Sequence, residues 1–190
     1  MYRPLPTLLS LSRIPCAILV IVFYSETERW RFEAAITVIS IALATDFLDG
    51  ALARKFGLTS KHGYVVDGLG DRAIYIALWL AFMVHQKIGL ITTWLLIFRE
   101  VAIYAARLFS SQWFEANKSV RFLSVLHAWF LRFWMLSVLA EDGIFLYSGI
   151  HLSELRGFAQ MQSALFIVAL LVSYYSLFRH LWAILAATDL

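Results

Sequence analysis

Six runs of apolar residues, near residues 6–24, 34–54, 67–86, 88–109, 120–140 and 156–182, constrain this chain more than any other feature. A helix that crosses a bilayer uses about 20 apolar residues, so six consume about 120. A chain of 190 residues that is 61% hydrophobic supplies that number. A soluble domain has roughly half its residues apolar and a quarter charged. With only 15% charged residues, this chain lacks the polar surface to cover a core of that size. Disorder is excluded by the same apolar excess, which only 3 prolines and 9 glycines interrupt. The expected fold is an all-α integral membrane protein with six transmembrane helices in one bundle. The polar breaks, at 25–33, 55–66, 85–87, 110–119 and 141–155, are too short for a second domain, so residues 1–190 are expected to form one.

Orientation follows from lysine and arginine in alternate breaks. Placing the N-terminus inside puts Arg3, Arg54, Lys55, Lys61, Arg107, Lys118, Arg121 and Arg179 on the cytoplasmic side, against Arg29, Arg31, Lys87 and Arg156 outside. Both termini are therefore expected in the cytoplasm. The net charge of +3 belongs to these loops, and no basic run is long enough to bind nucleic acid. Arg13 interrupts the first run and no small-x-small site follows Tyr24, so that run reads as a span and not a cleaved leader. The lone Cys16 reads as a buried packing residue.

The charges inside the spans carry the chemistry. Arg13, Asp46, Asp49, Asp67, Asp71, Arg72, Arg99, Glu100 and Arg132 lie within or at the edges of predicted helices. Each would cost about 2.5–3.5 kcal/mol at a helix centre facing lipid. They must face inward, pair, or bind ions. Asp46, Asp49, Gly50, Ala53 and Arg54 fall within about 140° of one helix, and Asp67 and Asp71 sit one turn apart on the next. Four acids that meet in a bundle interior need a cation, because like charges at close range oppose one another's ionisation. Hard oxygen donors suit Mg2+ or Mn2+, and a pair of ions would clamp a phosphoryl group. Gly50, Ala53 and Gly63 leave room for a ligand to approach the backbone, and Arg54 adds a positive fork for phosphate.

The segment Asp46-x2-Asp49-Gly50-x2-Ala53-Arg54-x8-Gly63-x3-Asp67-x3-Asp71 resembles, without departure, the signature of the CDP-alcohol phosphatidyltransferase family. Six spans with the signature bridging the second and third are similar to that family's architecture as well. The resemblance implies metal ligation by Asp46, Asp49, Asp67 and Asp71, with Asp71 also the catalytic base. It implies contacts to cytidine diphosphate from Thr45, Asp49, Gly50, Ala53, Arg54 and Gly63. It further implies two divalent ions, a CDP-linked lipid substrate, a homodimer, and a cytoplasm-facing site in a prokaryotic cell membrane.

The implied reaction moves a phosphatidyl group from CDP-diacylglycerol to the hydroxyl of a small polar acceptor, with release of CMP. Residues Pro6 to Arg13 and Phe98-Arg99-Glu100-Val101 resemble segments of phosphatidylglycerophosphate synthases, which points to glycerol 3-phosphate. Asp71-Arg72 is more like transferases that use inositol phosphate or that join a CDP-amino-alcohol to diacylglycerol, and those alternatives, with another alcohol as acceptor, stay open. Arg99, Arg107, Arg121 and Arg132 are the candidate acceptor-binding cations, because cationic stripes suit a phosphorylated acceptor. His127 reads as a packed or hydrogen-bonded residue, and Trp113, Trp129, Trp134 and Trp182, near predicted interfaces or lipid faces, as residues with a belt or packing role. A divalent-cation transporter could use the same acids, but it gives Gly50, Ala53 and Arg54 no role.

Overall fold

The computed structural model describes the backbone of residues 5–56, 61–109 and 118–188. Within these helices the side chains of residues 5–10, 46–56, 61–69, 71, 106–109, 118–121, 124 and 183–188 lie outside the described set. Six α-helices account for nearly all of it: α1 (Leu5–Phe23), α2 (Arg29–Phe56), α3 (Lys61–Val84), α4 (Leu90–Phe109), α5 (Lys118–Ser148) and α6 (Arg156–Thr188). A short 3-10 turn, Leu152–Glu154, precedes α6, and there is no strand among the described residues. The chain divides into two compact units, Met1–Thr93 and Trp94–Leu190.

In the first unit α1 packs against both α2 and α3. Arg13, Ala17, Val20 and Tyr24 form the buried stripe of α1 at spacings of four, three and four, and Phe32, Ala35, Ile39 and Ala42 form that of α2. Ile74, Ala77, Leu78, Ala81 and Phe82 complete the core from α3. Alanines on all three stripes let the helices approach closely, as lipid-embedded helices do when they lack a hydrophobic drive to associate. Pro15 removes one backbone bond inside α1. The outward faces carry Ile14, Ile18, Leu19 and Val22 on α1 and Ile41 and Leu43 on α2. Large apolar side chains outside and a buried arginine inside reverse the order of a soluble domain.

The helix α2 starts five residues before the apolar run that marks it in the sequence. Ahead of it, Ser25 Oγ accepts the backbone N–H of Glu28 at 3.1 Å and of Thr27 at 3.3 Å in a turn that leads into the helix, whose first bonds run from the Arg31 and Phe32 N–H to the Glu28 carbonyl. The α3 helix ends with Gln86 at φ 57°, so that the Lys87 N–H reaches the Phe82 carbonyl and the Gln86 N–H reaches Met83. That left-handed stop turns Lys87 back toward the start of α2.

In the second unit α5 and α6 form an antiparallel pair. His127 meets Ala169, the Trp134 ring lies 4.5 Å from that of Phe166, and Glu141 meets Gln162. Trp134 is therefore a core packing residue, 5% exposed, whereas Trp129 and Trp182 face outward. Helix α5 also runs on through the expected polar break to Ser148. Glu141 and Asp142 are buried within it. Glu141 stays in the helix because its carboxylate accepts the Ser153 N–H at 3.2 Å and the Gln162 amide at 3.0 Å.

Of the six expected spans, one, Arg156–Trp182, is long and apolar enough among the described residues to cross a membrane. Leu11–Phe23 and Arg72–Val84 are shorter apolar stretches.

Candidate active site

The expected signature occupies two successive helix ends. Helix α2 continues unbroken through Thr45, Asp46, Asp49, Gly50, Ala53 and Arg54, and α3 carries Gly63, Asp67 and Asp71 in its first three turns. Only residues 57–60 separate the helices. Helical backbone through both halves gives the acids the one-face spacing inferred from sequence. The side chains of Asp46, Asp49, Gly50, Ala53, Arg54, Gly63, Asp67 and Asp71 lie outside the described residues. Thr45 is described: it is half-buried, and its hydroxyl donates to the Ala42 carbonyl at 2.8 Å, which leaves the oxygen lone pairs free to accept. Among the described side chains no three His, Cys, Asp or Glu come together as a metal site, and the signature acids are not among those side chains.

Helix α1 adds a residue that the sequence did not place in the site. The Tyr24 ring lies 6.3 Å from Phe32 at the start of α2 and 5.5 Å from Phe82 at the end of α3. Counting back 11 residues along α1 from these contacts brings Arg13 level with residues near 43 of α2 and 71 of α3, the turns that hold the signature. Arg13 is 1% exposed. Its burial could be foreseen from the cost of a lipid-facing arginine, but its depth along the signature helices could not.

The candidate acceptor residues separate. Arg99 is buried, 4% exposed, near the middle of α4, and its Nη1 pairs with Glu100 Oε1. The same Oε1 lies 3.5 Å from His127 Nε2, and His127 Nδ1 donates to the Ala169 carbonyl at 3.4 Å. Three helices therefore meet at one polar cluster. Arg132 is exposed, its guanidinium carbon 5.8 Å from the Trp129 ring centroid, on a different face of α5 from His127. Arg107 and Arg121 lie outside the described side chains. Sequence reasoning placed Arg99 in the interior and left Glu100 and His127 without their shared contact, because that contact joins residues on different helices.

A profile of CDP-alcohol phosphatidyltransferase matches residues 3–188. The chain is 34% identical over 101 residues to a CDP-diacylglycerol–glycerol-3-phosphate 3-phosphatidyltransferase of Haemophilus influenzae, covering 52% of this chain and 54% of that protein. It is 30% identical over 105 residues to the protein of the same name from Pseudomonas fluorescens, covering 54% of each. A third of that name, from Cereibacter sphaeroides, is 27% identical over 163 residues, which is 82% of this chain and 68% of the relative. The matched stretch thus spans about half the length of the first two relatives. No solved structure matches the chain significantly. A match that runs across both units and takes in the whole signature leaves one assignment: this chain belongs to the CDP-alcohol phosphatidyltransferase family.

Proposed function

We propose that the protein transfers the phosphatidyl group of CDP-diacylglycerol to the primary hydroxyl of glycerol 3-phosphate, releasing CMP. The observation that carries this reading is the complete signature, Asp46 to Asp71, on unbroken helix at the adjoining ends of α2 and α3. The names of the relatives support glycerol 3-phosphate as acceptor over inositol phosphate or an amino-alcohol. The outward apolar faces and the buried charges support a bilayer setting. Six apolar runs support six spans, and the lysine and arginine asymmetry between their connections supports both termini inside and a cytoplasmic site. A homodimer in a prokaryotic cell membrane is part of the same reading.

Each residue has a role in that chemistry. Four carboxylates make a hard-oxygen donor set that fits Mg2+ or Mn2+ and suits neither a soft metal nor a lone basic ligand. Asp46, Asp49, Asp67 and Asp71 would hold two such ions, which when bound neutralise the charge of the pyrophosphate. Arg54 adds a bidentate donor to phosphate, Thr45 a hydroxyl, and Gly50, Ala53 and Gly63 clear space for the cytidine diphosphate moiety. Asp71 takes the proton from the acceptor hydroxyl. The freed oxygen bonds to the phosphorus that carries diacylglycerol, the pyrophosphate P–O bond breaks, and CMP departs with the electron pair. Arg99, with Arg107 and Arg121, is the cation set proposed for the acceptor phosphate, and Arg132, turned outward over Trp129, is left out of it.

Purified protein in lipid, given CDP-diacylglycerol, glycerol 3-phosphate and Mg2+, is expected to release CMP and form a phosphatidyl product. Inositol phosphate, inositol, serine and phosphatidylglycerol serve as competing acceptors. No CMP release with any of them, nor from CDP-amino-alcohols with diacylglycerol, overturns the reading. Asp71→Asn is expected to lower turnover by at least about 10²–10⁴-fold while nucleotide binding persists, as loss of a general base does. Asp46→Asn is expected to weaken nucleotide binding and raise the Mg2+ needed. Normal turnover by the Asp71 variant removes the base assignment.

A further inference from the structure

Within the first unit the buried stripe of α1 opens on a charge, Arg13. Its register against α3 follows from the packing of the two helices. They run parallel and end together, with the Tyr24 ring 5.5 Å from that of Phe82 and His85 Nε2 3.1 Å from the Tyr24 carbonyl oxygen. The stripe of α1, Arg13, Ala17, Val20 and Tyr24, advances by four, three and four residues. The buried positions Gly70, Ile74, Ala77 and Ala81 of α3 advance by the same steps. Because the rise per residue is the same in both helices, these steps bring Ala17 level with Ile74 and Arg13 level with Gly70. Gly70 lies three residues after Asp67 and one before Asp71, and its missing side chain leaves room for an arginine stem to pass between closely packed helices.

A guanidinium taken out of water needs anions nearby. The first unit contains seven acidic residues. Glu26, Glu28 and Glu33 stand at the far end of α1, where they pair with Lys87, Arg31 and Arg29. The other four are those of the signature, and Arg13 is level with the turn of α3 that carries two of them. Carboxylates assembled to hold two divalent ions repel one another whenever the ions are away. A fixed cation at that level offsets part of the repulsion, and it opposes the entry of further positive charge.

We propose that Arg13 is a positioning residue of the transferase site, a resident counter-charge that keeps the α3 half of the signature assembled without metal and weakens metal binding. This rests on the transferase reading above. The experiment follows the thermal midpoint of the full-length protein in a fixed detergent, in EDTA and through a Mg2+ titration, with CMP release measured alongside. Arg13→Met keeps the length of the side chain and removes its charge. Its midpoint is expected to fall in EDTA and to recover as Mg2+ is added, with half-saturation at about tenfold less Mg2+ than in the wild type. Arg13→Lys keeps the charge and is expected to keep the wild-type Mg2+ requirement. An unchanged Mg2+ requirement in the methionine variant overturns the proposal, whether or not the KM for CDP-diacylglycerol rises. A loss of stability equal in EDTA and in saturating Mg2+ also overturns it, since that marks packing alone. Should the methionine variant fail to fold even with Mg2+, Arg13→Gln and Arg13→Lys decide: a lower Mg2+ requirement in the glutamine variant supports the counter-charge, and equal requirements overturn it. A wild-type protein that neither responds to Mg2+ nor releases CMP takes both readings down, whereas an active, Mg2+-dependent wild type with insensitive Arg13 variants removes only this one.

Discussion

Two regions of the molecule use the same three groups and differ in what surrounds them. At the turn between α1 and α2, Glu26 is shared by Lys87, 2.7 Å away, and His85 Nδ1, 3.6 Å away, while His85 Nε2 donates to the Tyr24 carbonyl at 3.1 Å. Between α4, α5 and α6, Glu100 is shared by Arg99 and His127 Nε2, while His127 Nδ1 donates to the Ala169 carbonyl. In each, a carboxylate joins a cation to a histidine whose other nitrogen holds a backbone carbonyl. The first set is 24–30% exposed and lies between helix ends, where water solvates part of every charge. The second is 4–14% exposed and lies mid-helix.

Environment therefore gives the two sets different values. The exposed one clips the α1–α2 turn to the α3–α4 turn at little desolvation cost. The buried one takes its charges out of water, which a stability requirement alone would meet better with apolar residues of similar size. A charged cluster at that depth is the mark of a functional interior.

Variants that remove one member at a time put this contrast to measurement. Glu100→Gln removes the buried carboxylate that Arg99 and His127 share, and thermal or denaturant unfolding in a fixed detergent is expected to show a loss of about 3–5 kcal/mol, with transferase activity falling alongside. A loss below that of the Glu26 variant would erase the distinction between the two sets. Glu26→Gln is expected to cost at most about 1 kcal/mol, because solvent and salt already screen its partners, and to leave CMP release at the wild-type level. The Arg29–Glu33 pair on α2, at 3.0 Å with side chains 60% and 50% exposed, bounds the scale from below. Arg29→Ala is expected to change stability by only a few tenths of a kcal/mol, as exposed pairs four residues apart on a helix do, and raising the salt concentration should erase even that.

Much of this molecule is legible in the chain. Each apolar run became a helix, because a long run without proline or glycine clusters satisfies its backbone within itself. The signature spacing could be read because it is local, with both halves lying on single helices. What could not be read depends on partners from elsewhere. Glu141 and Asp142 look like loop residues until Ser153 and Gln162 supply hydrogen bonds to Glu141 from the next segment. Trp134 fits a belt or a packing role until Phe166 covers it. Arg99 and Arg132 looked equivalent, and only the packing of α5 turns one outward over Trp129 while the other pairs inside.

By itself the sequence determined the apolar helical character of the protein, the positions of its helices and the family signature with the chemistry it implies. These depend on periodicity and residue type, which are properties of short segments. The tertiary structure decided the level of Arg13 along the signature helices and the Arg99–Glu100–His127 cluster. Those depend on which face of each helix meets a neighbour and at what register. Side-chain packing between residues up to 79 positions apart, as in the Tyr174–Leu95 hydrogen bond, settles that register.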